Sequence, residues 1–246
     1  MPGSRRNSRH TVSFGRDEIS FVLRRSDRKT LSISVNPDLS ISVTAPRHAS
    51  LDSIKRRIQI RAKWIKAQLT FFEGFIPPAL PRRYVRGETH YYLGRQYRLK
   101  IVGSDREGVK LTHGIIEISQ NGNRSRTRTK ELLENWLTAR ARIRFEKSLN
   151  SCYQKLKGFD LPLPNLRLRQ MKKRWGSCYA KTIYLNRDLI KAPSHCIDYV
   201  VMHELCHLKQ RGHGKGFYAL LSRVMPDWEQ RKIRLERVSA NFLPTL

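Results

Sequence analysis

Three histidines and a glutamate occur within eleven residues near the carboxyl end of the 246-residue chain, as His203, Glu204, His207 and His213. Imidazole nitrogens bind zinc, and a carboxylate beside a zinc site can act as a general base. Four residues of an α-helix amount to about 400° of rotation, so His203 and His207 project from one face, one turn apart. The spacing predicts two zinc ligands on one helix, with Glu204 close to the metal without binding it.

His213 needs a different placement from the other two histidines. It lies six residues after His207, or about 600° of rotation, so an unbroken helix would point it away from the metal. Gly212 stands where a left-handed cap would end the helix, and Lys209 and Arg211 suit the negative end of the helix dipole. A chain reversal at Gly212 would return His213 as a third ligand. Three protein ligands leave the fourth tetrahedral position for water, as in catalytic zinc sites.

This set of residues predicts a zinc-dependent hydrolase of peptide bonds, with Zn²⁺ as its cofactor. The expected mechanism is attack on the substrate carbonyl by a zinc-activated water, with Glu204 as the general base. The proton then passes from Glu204 to the leaving amine.

Several neighbours of the motif are candidates for supporting roles, and the sequence assigns a role to none of them. Asp198 is a candidate to orient an imidazole, although an acid of the first helical turn is the simpler interpretation. Cys178 and Cys206 are candidates to lie near the metal, although free cysteines are usually small buried hydrophobic residues. The candidates for oxyanion stabilisation are Tyr199, Tyr218 and Arg174.

The wider sequence around the histidines resembles the YgjP-like metallopeptidase family, which is related to SprT-like and WLM-type zinc proteases. The resemblance lies in HELCHLKQRGHGKGFY from residue 203, RWGSCYAKTIYLNRDLI from residue 174 and IDYVVMHE from residue 197. It implies that His203, His207 and His213 bind zinc and that Glu204 is the base. YYLGRQYRLKIV, from residue 91, is more loosely similar and implies that the first half shares the family architecture. Gln210 replaces the glycine of the metzincin motif, which implies a differently built reversal.

Period-2 alternation predicts strands in the first half, in ISFVLRR, LSISVNP and LSISVTAP, with a hairpin turn at 36–38. Residues 49–72 predict one basic amphipathic helix, and strand character returns over 88–120. We find no internal repeat. The apolar side of the helix is predicted to carry Ile54, Ile58, Ile65 and Leu69.

The second half is predicted to begin with a helix from Thr127 to about Lys157. An extended stretch follows over 166–189, in which Trp175 and Gly176 predict a tight bend and 182–185 a strand that an extended peptide could pair with. Pro193 and Ser194 then start the helix that carries the histidines. The core candidates of the first of these helices are Leu132, Trp136, Ile143 and Leu149, and its predicted solvated arginines are Arg140, Arg142 and Arg144.

These elements predict an α+β fold, with a zincin-like catalytic half, built around an active-site HExxH helix, behind a β-rich N-terminal half. We place a disordered basic tail at 1–16, a β-rich region with one helix at 17–125 and the metallopeptidase region at 126–246.

The composition points to a polyanionic partner. There are 49 Lys and Arg residues against 20 Asp and Glu, a formal net charge of +29, and a field of this strength makes nucleic acid a candidate. No RNP signature or zinc-finger spacing accompanies the charge. No apolar run approaches the roughly 20 residues of a membrane span, so we expect no membrane association. Four cysteines without a CxxC pair favour a reducing cytoplasm.

Two other functions fit parts of the pattern. A metal-dependent endoribonuclease is the first, because a bacterial rRNA-maturation family shares the H-x3-H-x5-H spacing. Glu204 disfavours it, since that family has glycine after the first histidine. The second is a non-catalytic nucleic-acid-binding protein with a structural zinc, in which the basic tail and 124–130 contact phosphates. A peptidase acting on nucleic-acid-associated proteins would combine the charge with Glu204.

Overall fold

The computed structural model describes residues 8–15, 17–36, 39–73, 82–122, 125–171 and 174–239. The chain divides into two compact units, the first covering 1–80 with 244–246 and the second 81–243. The predicted division at residue 125 separated residues that the structure packs together, because Leu99, Ile116 and Ile118 join the core of the second unit. The assignment of catalysis to 126–246 stays a prediction.

The first unit is a four-stranded sheet with two helices. Its strands lie in the order β1-β2-β4-β3, with β2 and β4 parallel and the outer pairs antiparallel. Alternate side chains of β2 and β4 form the core with one face of the helices. The elements are β1 (Ser8–Phe14), β2 (Asp17–Ser26), β3 (Ser32–Val35), β4 (Ile41–Pro46), α1 (Leu51–Ile60) and α2 (Ala62–Glu73).

Strand β1 occupies part of the predicted disordered tail. It pairs with β2 from Ser8 opposite Leu23 to Phe14 opposite Asp17, and it buries Val12. The strand forms because alternation of Val12 and Phe14 with polar residues extends the sheet. Residues 1–7 and 16 of that tail lie outside the described residues.

The predicted helix over 49–72 is two helices, separated at Arg61. The amide of Arg61 donates to the carbonyls of Arg57 and Ile58, at 3.3 and 3.0 Å, which tightens the last turn of α1. Ser50 caps the start of α1 by accepting from the Ser53 amide at 3.2 Å. Ile54, Ile58 and Ile65 are buried as predicted, and Leu69 packs against the same core. The predicted hairpin joins β3 and β4, although Pro37 and Asp38 of its turn lie outside the described residues.

The second unit contains two sheets and four helices within its described part. Its larger sheet has the order β5-β6-β8-β7 and the smaller one β10-β11-β9. The strands are β5 (Thr89–Tyr92), β6 (Arg95–Gly103), β7 (Gly108–Thr112), β8 (Ile115–Gln120), β9 (Asn165–Arg169), β10 (Gly176–Tyr179) and β11 (Thr182–Asn186). The helices are α3 (Arg126–Gln154), α4 (Ser194–Cys206), α5 (Lys215–Val224) and α6 (Trp228–Ser239), with 3-10 turns at Lys157–Phe159 and Arg187–Lys191.

The larger sheet of the second unit repeats the topology of the first unit. Both sheets have two antiparallel outer pairs around one parallel central pair. No repeat is visible in the sequence, because the two segments share little beyond Ser-Asp-Arg, at 26–28 and 104–106, where β2 and β6 end. The two sheets therefore share their strand order and strand directions without sharing a side-chain pattern.

The long helix α3 forms the centre of the second unit. Its buried stripe lies one position away from much of the predicted one, and Ile143 is 62% exposed. Arg144 was predicted to be solvated but is mostly buried in an ion pair with Asp198. The stripe consists of Leu133, Leu137, Ala141, Phe145, Leu149 and Cys152.

The described chain is thus a mixed α/β structure with three sheets and six α-helices. Within its described part, no helix combines the length and apolar character that crossing a membrane requires.

Candidate metal centre

Helix α4, which carries His203 and Glu204, is held at its start by the turn between β5 and β6. The Leu93 and Gly94 amides donate to the carbonyls of Ile190 and Lys191, at 2.9 and 3.0 Å. Gly94 has φ +79°, and a Cβ there would come within 2.6 Å of the Pro193 side chain. Glycine is required here both by the backbone conformation and by the close approach.

The first turns of α4 are also bound to α3 through Asp198. One oxygen of this carboxylate accepts from Arg144 Nη2 at 2.9 Å and from Ser148 Oγ at 2.5 Å. Arg144 also donates to the Ser194 carbonyl at 3.1 Å. Asp198 therefore fixes the helix rather than an imidazole, but it is not the first-turn acid that was predicted, because the first turn of α4 contains no acidic residue.

The three histidines lie together at the other end of α4. His203 is in the last turn, His207 follows the helix directly, and His213 lies two residues before α5. One ring nitrogen from each forms a group whose members all lie within 4.8 Å of one another. The Nε2 atoms of His203 and His213 are 2.9 Å apart. Three separate sequence positions thus present nitrogen donors to one small volume.

The chain reversal before His213 differs from the predicted glycine cap. Gly212 is not among the glycines with positive φ. The helix instead ends in a tight turn, in which the amides of Lys209 and Gln210 donate to the Cys206 carbonyl at 3.1 and 2.9 Å. His207 Nδ1 then donates to the Gln210 carbonyl at 2.9 Å. This bond fixes the tautomer and leaves the His207 Nε2 lone pair free to bind a metal.

Phe217 packs beneath all three imidazoles. Its buried ring lies 4.9, 4.7 and 4.7 Å, centroid to centroid, from His203, His207 and His213. Tyr199 covers His203 from another side, at 5.9 Å. These contacts hold the relative orientation of the rings, so the donor atoms need little rearrangement on binding a cation.

Burial favours the neutral form of two of the three imidazoles, those of His203 and His213. It lowers the pKa of His203 to about 3, with further contributions from His207 and His213, and burial also lowers the pKa of His213. Only the neutral ring can bind a metal. His203 Nδ1 is buried without a hydrogen-bond partner among the described residues. Three converging imidazoles fit a divalent metal that prefers nitrogen ligands.

Glu204, the residue after His203, provides a buried carboxyl group. It is 5% exposed, and burial raises its pKa to about 7, against the opposing charge of Arg174. Gly176, the first residue of β10, lies directly against it, because a Cβ there would come within 2.7 Å of Glu204 Oε1. The bend predicted at Trp175 and Gly176 is therefore the point where a strand passes over the carboxyl group.

The metallopeptidase resemblance is confirmed over most of the chain. The family model described as YgjP-like, metallopeptidase domain, matches residues 29–238. The chain belongs to this family. Membership implies a divalent metal and peptide or protein substrates. No curated protein sequence matches the chain.

Two crystal structures of metallopeptidase zymogens resemble parts of this YgjP-like chain. Abylysin of Pyrococcus abyssi is 24% identical, with a TM-score of 0.35, over 42% of this chain and 98% of its own. Jannalysin of Methanocaldococcus jannaschii is 23% identical, with a TM-score of 0.33, over 39% of this chain and 88% of its own. These scores are low, so the family assignment rests on the family model.

Asn186 holds the segment that leads into β10, a role that the sequence analysis missed. Its side-chain amide donates to the carbonyls of Met171 and Arg174, at 2.7 and 3.2 Å, and its oxygen accepts from the Asp188 amide at 3.2 Å. The Asn186 amide donates to the Trp175 carbonyl at 2.8 Å. A buried asparagine with all these groups satisfied fixes where Gly176 meets Glu204. The signal available in the sequence was the LN pair of the family motif.

The remaining candidate residues of the YgjP-like domain lie outside the group of three histidines. Cys206 is buried, and burial raises the pKa of its thiol to about 12, so it is a neutral core residue. Cys178 is half-buried, and neither cysteine belongs to the nitrogen group. Tyr218 lies 6.4 Å from His213 and stacks on Trp228 at 5.4 Å, both between ring centroids. No oxyanion donor is assigned among Tyr199, Tyr218 and Arg174.

Proposed function

We propose that this protein is a zinc metallopeptidase in which His203, His207 and His213 hold Zn²⁺ and Glu204 is the general base. One observation carries the proposal. A buried carboxyl group, one residue from His203, accompanies three imidazoles whose donor atoms lie within 4.8 Å of one another. Zinc suits this set because it accepts three imidazoles and keeps a fourth position for water in catalytic sites.

Glu204 performs the proton transfers in this proposal. A bound Zn²⁺ supplies Lewis acidity, polarising a carbonyl and acidifying a water molecule. The Glu204 carboxyl has a pKa of about 7 in the described surroundings, so it can take a proton and release it to a leaving amine near neutral pH. Gly176 leaves room for this side chain, while Gln210 keeps the Nδ1 proton on His207. Gly176 and Gln210 thus help to position the Glu204 carboxyl group and the His207 ring.

The substrate is proposed to be an extended peptide segment that pairs with β10. The sequence analysis suggested 182–185 for this pairing, but β11 is hydrogen-bonded to strands on both sides. Strand β10 lies at the edge of that sheet and begins at Gly176, against Glu204. A free edge offers backbone donors and acceptors to a peptide. The net charge of +29 favours proteins associated with nucleic acid as substrates, and the cytoplasm as the proposed location follows from the cysteine pattern.

The test combines metal content with hydrolysis. We expect the purified protein to contain one zinc and to cleave an unfolded protein substrate, and a chelator to abolish cleavage. Glu204→Gln should keep zinc and lose activity by at least about 100-fold, because the amide cannot accept the proton. His213→Ala should lose both zinc and activity. The matched control is Glu146→Gln, on an exposed position of α3, which should change neither.

The same preparations decide between the proposal and its alternatives. Structured RNA is incubated with wild type and Glu204→Gln, with and without chelator. Cleavage of RNA without cleavage of protein would overturn the peptidase in favour of the endoribonuclease. If wild type and Glu204→Gln are equally inactive on both substrates while metal removal unfolds the chain, the zinc is structural.

A further inference from the structure

Two of the three described cations of the 124–130 cluster have carboxylates beside them. Arg128 forms ion pairs with Glu107 and Glu131, and Lys130 lies 3.9 Å from Glu134. Arg5, Arg6 and Arg124, which were also expected to contact phosphates, lie outside the described residues. A nucleic-acid site must therefore be sought among cations that have no carboxylate beside them.

The first unit has a groove with that property. Its volume is about 740 Å³, and it runs between the α1–α2 face and the edge strand β3. The described lining contains three arginines and no acidic residue. None of the three forms an ion pair with a described carboxylate, and Arg28 Nε is buried without a hydrogen-bond partner there. The lining residues are Arg28, Leu31, Ser32, Ile33, Arg57, Ile60, Arg61 and Trp64.

Apolar side chains accompany these cations instead of being buried. Ile60 is 74% exposed and Trp64 42% exposed, and they are the large exposed hydrophobic residues of the described part of the first unit. No described aromatic ring or cation packs on the indole of Trp64. Arg57, Ile60, Arg61 and Trp64 have helical spacing across the break at Arg61, so they form one face, which flanks that of the buried isoleucines. The exposed indole and the unpaired guanidinium groups therefore lie together on one surface, unlike exposed hydrophobic residues that occur singly.

We propose that this groove binds single-stranded nucleic acid, with an unpaired base stacked on Trp64 and the phosphates bound by Arg28, Arg57 and Arg61. Positive grooves with an aromatic platform are the means by which proteins bind single strands, since every base offers a π face. A duplex keeps its bases paired and would leave Trp64 unused. An acidic peptide would match the arginines but offers no flat ring to the indole. The inference does not depend on the peptidase activity.

The test measures binding of the full-length protein to a fluorescein-labelled oligo(dT) of about 20 nucleotides, and to the equivalent oligo(rU), by anisotropy at several salt concentrations. The double variant R57Q/R61Q should weaken binding by about tenfold or more. It should also reduce the slope of log affinity against log salt by about 1.4, since each phosphate contact on a single strand contributes about 0.7. The matched control is R56Q/K63Q, which removes the same charge from exposed positions of the same helices outside the groove. Its loss of affinity should be several-fold smaller.

Substitutions of Trp64 test the contribution of base stacking separately from that of charge. Trp64→Ala should weaken binding by about tenfold at each salt concentration without changing the slope, because stacking on an aromatic ring is not a charge contact. Trp64→Phe should retain most of the affinity but lose the quenching of tryptophan fluorescence that the oligonucleotide causes. Glu204→Gln should bind as wild type does, so binding and the proposed peptidase activity can fail separately.

Four outcomes would overturn the inference. The oligonucleotides could fail to bind, or the control pair could lose as much affinity as the groove pair, which would mean diffuse attraction. A duplex of the same length could compete as well as the single strand. Poly-glutamate could compete equally, which would make the groove a site for acidic peptides.

Discussion

Two sheets of the same topology have different surroundings in this protein. In the first unit, the helices after the sheet bury one face and expose another, which carries Arg57, Ile60, Arg61 and Trp64. In the second unit, the corresponding sheet is covered by α3, and its turn at Leu93 and Gly94 is hydrogen-bonded to the chain before α4. The difference shows that strand order decides neither site. One proposed site combines unpaired arginines with an exposed indole, while the other combines three converging imidazoles with a buried carboxyl group.

Metal removal should produce the largest contrast between the units. A metal that binds only the folded state stabilises it by about 4 kcal/mol when its free concentration is 1,000 times its dissociation constant. We expect a chelator to increase amide hydrogen exchange in α4, α5 and β10, and to leave β1–β4 unchanged. Equal loss of protection in both units would break the comparison. Restoring protection with added zinc is the control.

Gly176→Ala should reduce peptidase activity by about 100-fold, equivalent to about 2.7 kcal/mol. The new Cβ would lie 2.7 Å from Glu204 Oε1, so the buried carboxyl group must move from its position. Activity, zinc content and oligonucleotide binding are measured together, and only activity should fall. Gly108→Ala is the matched control, because this strand glycine has open space around its Cα. If Gly176→Ala and Gly108→Ala have equal peptidase activity, the contact between Gly176 and Glu204 is not needed for activity.

Asn186→Ala should lower the free energy of unfolding of the second unit by about 2 kcal/mol. The substitution leaves the Met171 and Arg174 carbonyls without the side-chain donors that they have in the structure, and unsatisfied buried polar groups cost about 1–3 kcal/mol. Denaturant unfolding of Asn186→Ala and of the exposed control Asn150→Ala measures the difference. An equal effect of the two would show that the loop before β10 is held by other contacts.

Gly94→Ala should be more destabilising than Gly114→Ala by about 1–2 kcal/mol. Both glycines have positive φ, near +80°, and both lie in turns of the same sheet. A Cβ at Gly94 would meet Pro193 at 2.6 Å, whereas a Cβ at Gly114 would meet open space. The shared part of the effect is backbone strain, and the difference is the cost of overpacking. Equal melting temperatures would mean that the turn does not position the start of α4.

Short-range spacing predicted much of this structure, and contacts between distant segments account for what it missed. The strands β2 and β4 and the inward face of Ile54, Ile58 and Ile65 follow from period alone. The ion pair of Arg144 and the role of Asn186 depend on neighbours farther away in the sequence. Within the site, the contact that the pattern missed is made by the backbone. Spacing placed His203 and His207 on neighbouring turns, but the path to His213 runs through the Gln210 carbonyl, which no side-chain pattern reveals.

Trp64→Ala should have the smallest effect on stability, within about 0.5 kcal/mol, which is usual for exposed positions away from structural features. This result would sharpen the comparison, because the same substitution is expected to weaken oligonucleotide binding. Phe217→Ala supplies the opposite case in the second unit. Its ring is buried against three histidines, and removing a buried phenylalanine costs about 3–5 kcal/mol. Thermal unfolding of both variants, each compared with wild type, measures the contrast. A destabilisation by Trp64→Ala as large as that by Phe217→Ala would mean that the indole belongs to the core, and that the groove is part of the packing rather than a binding surface.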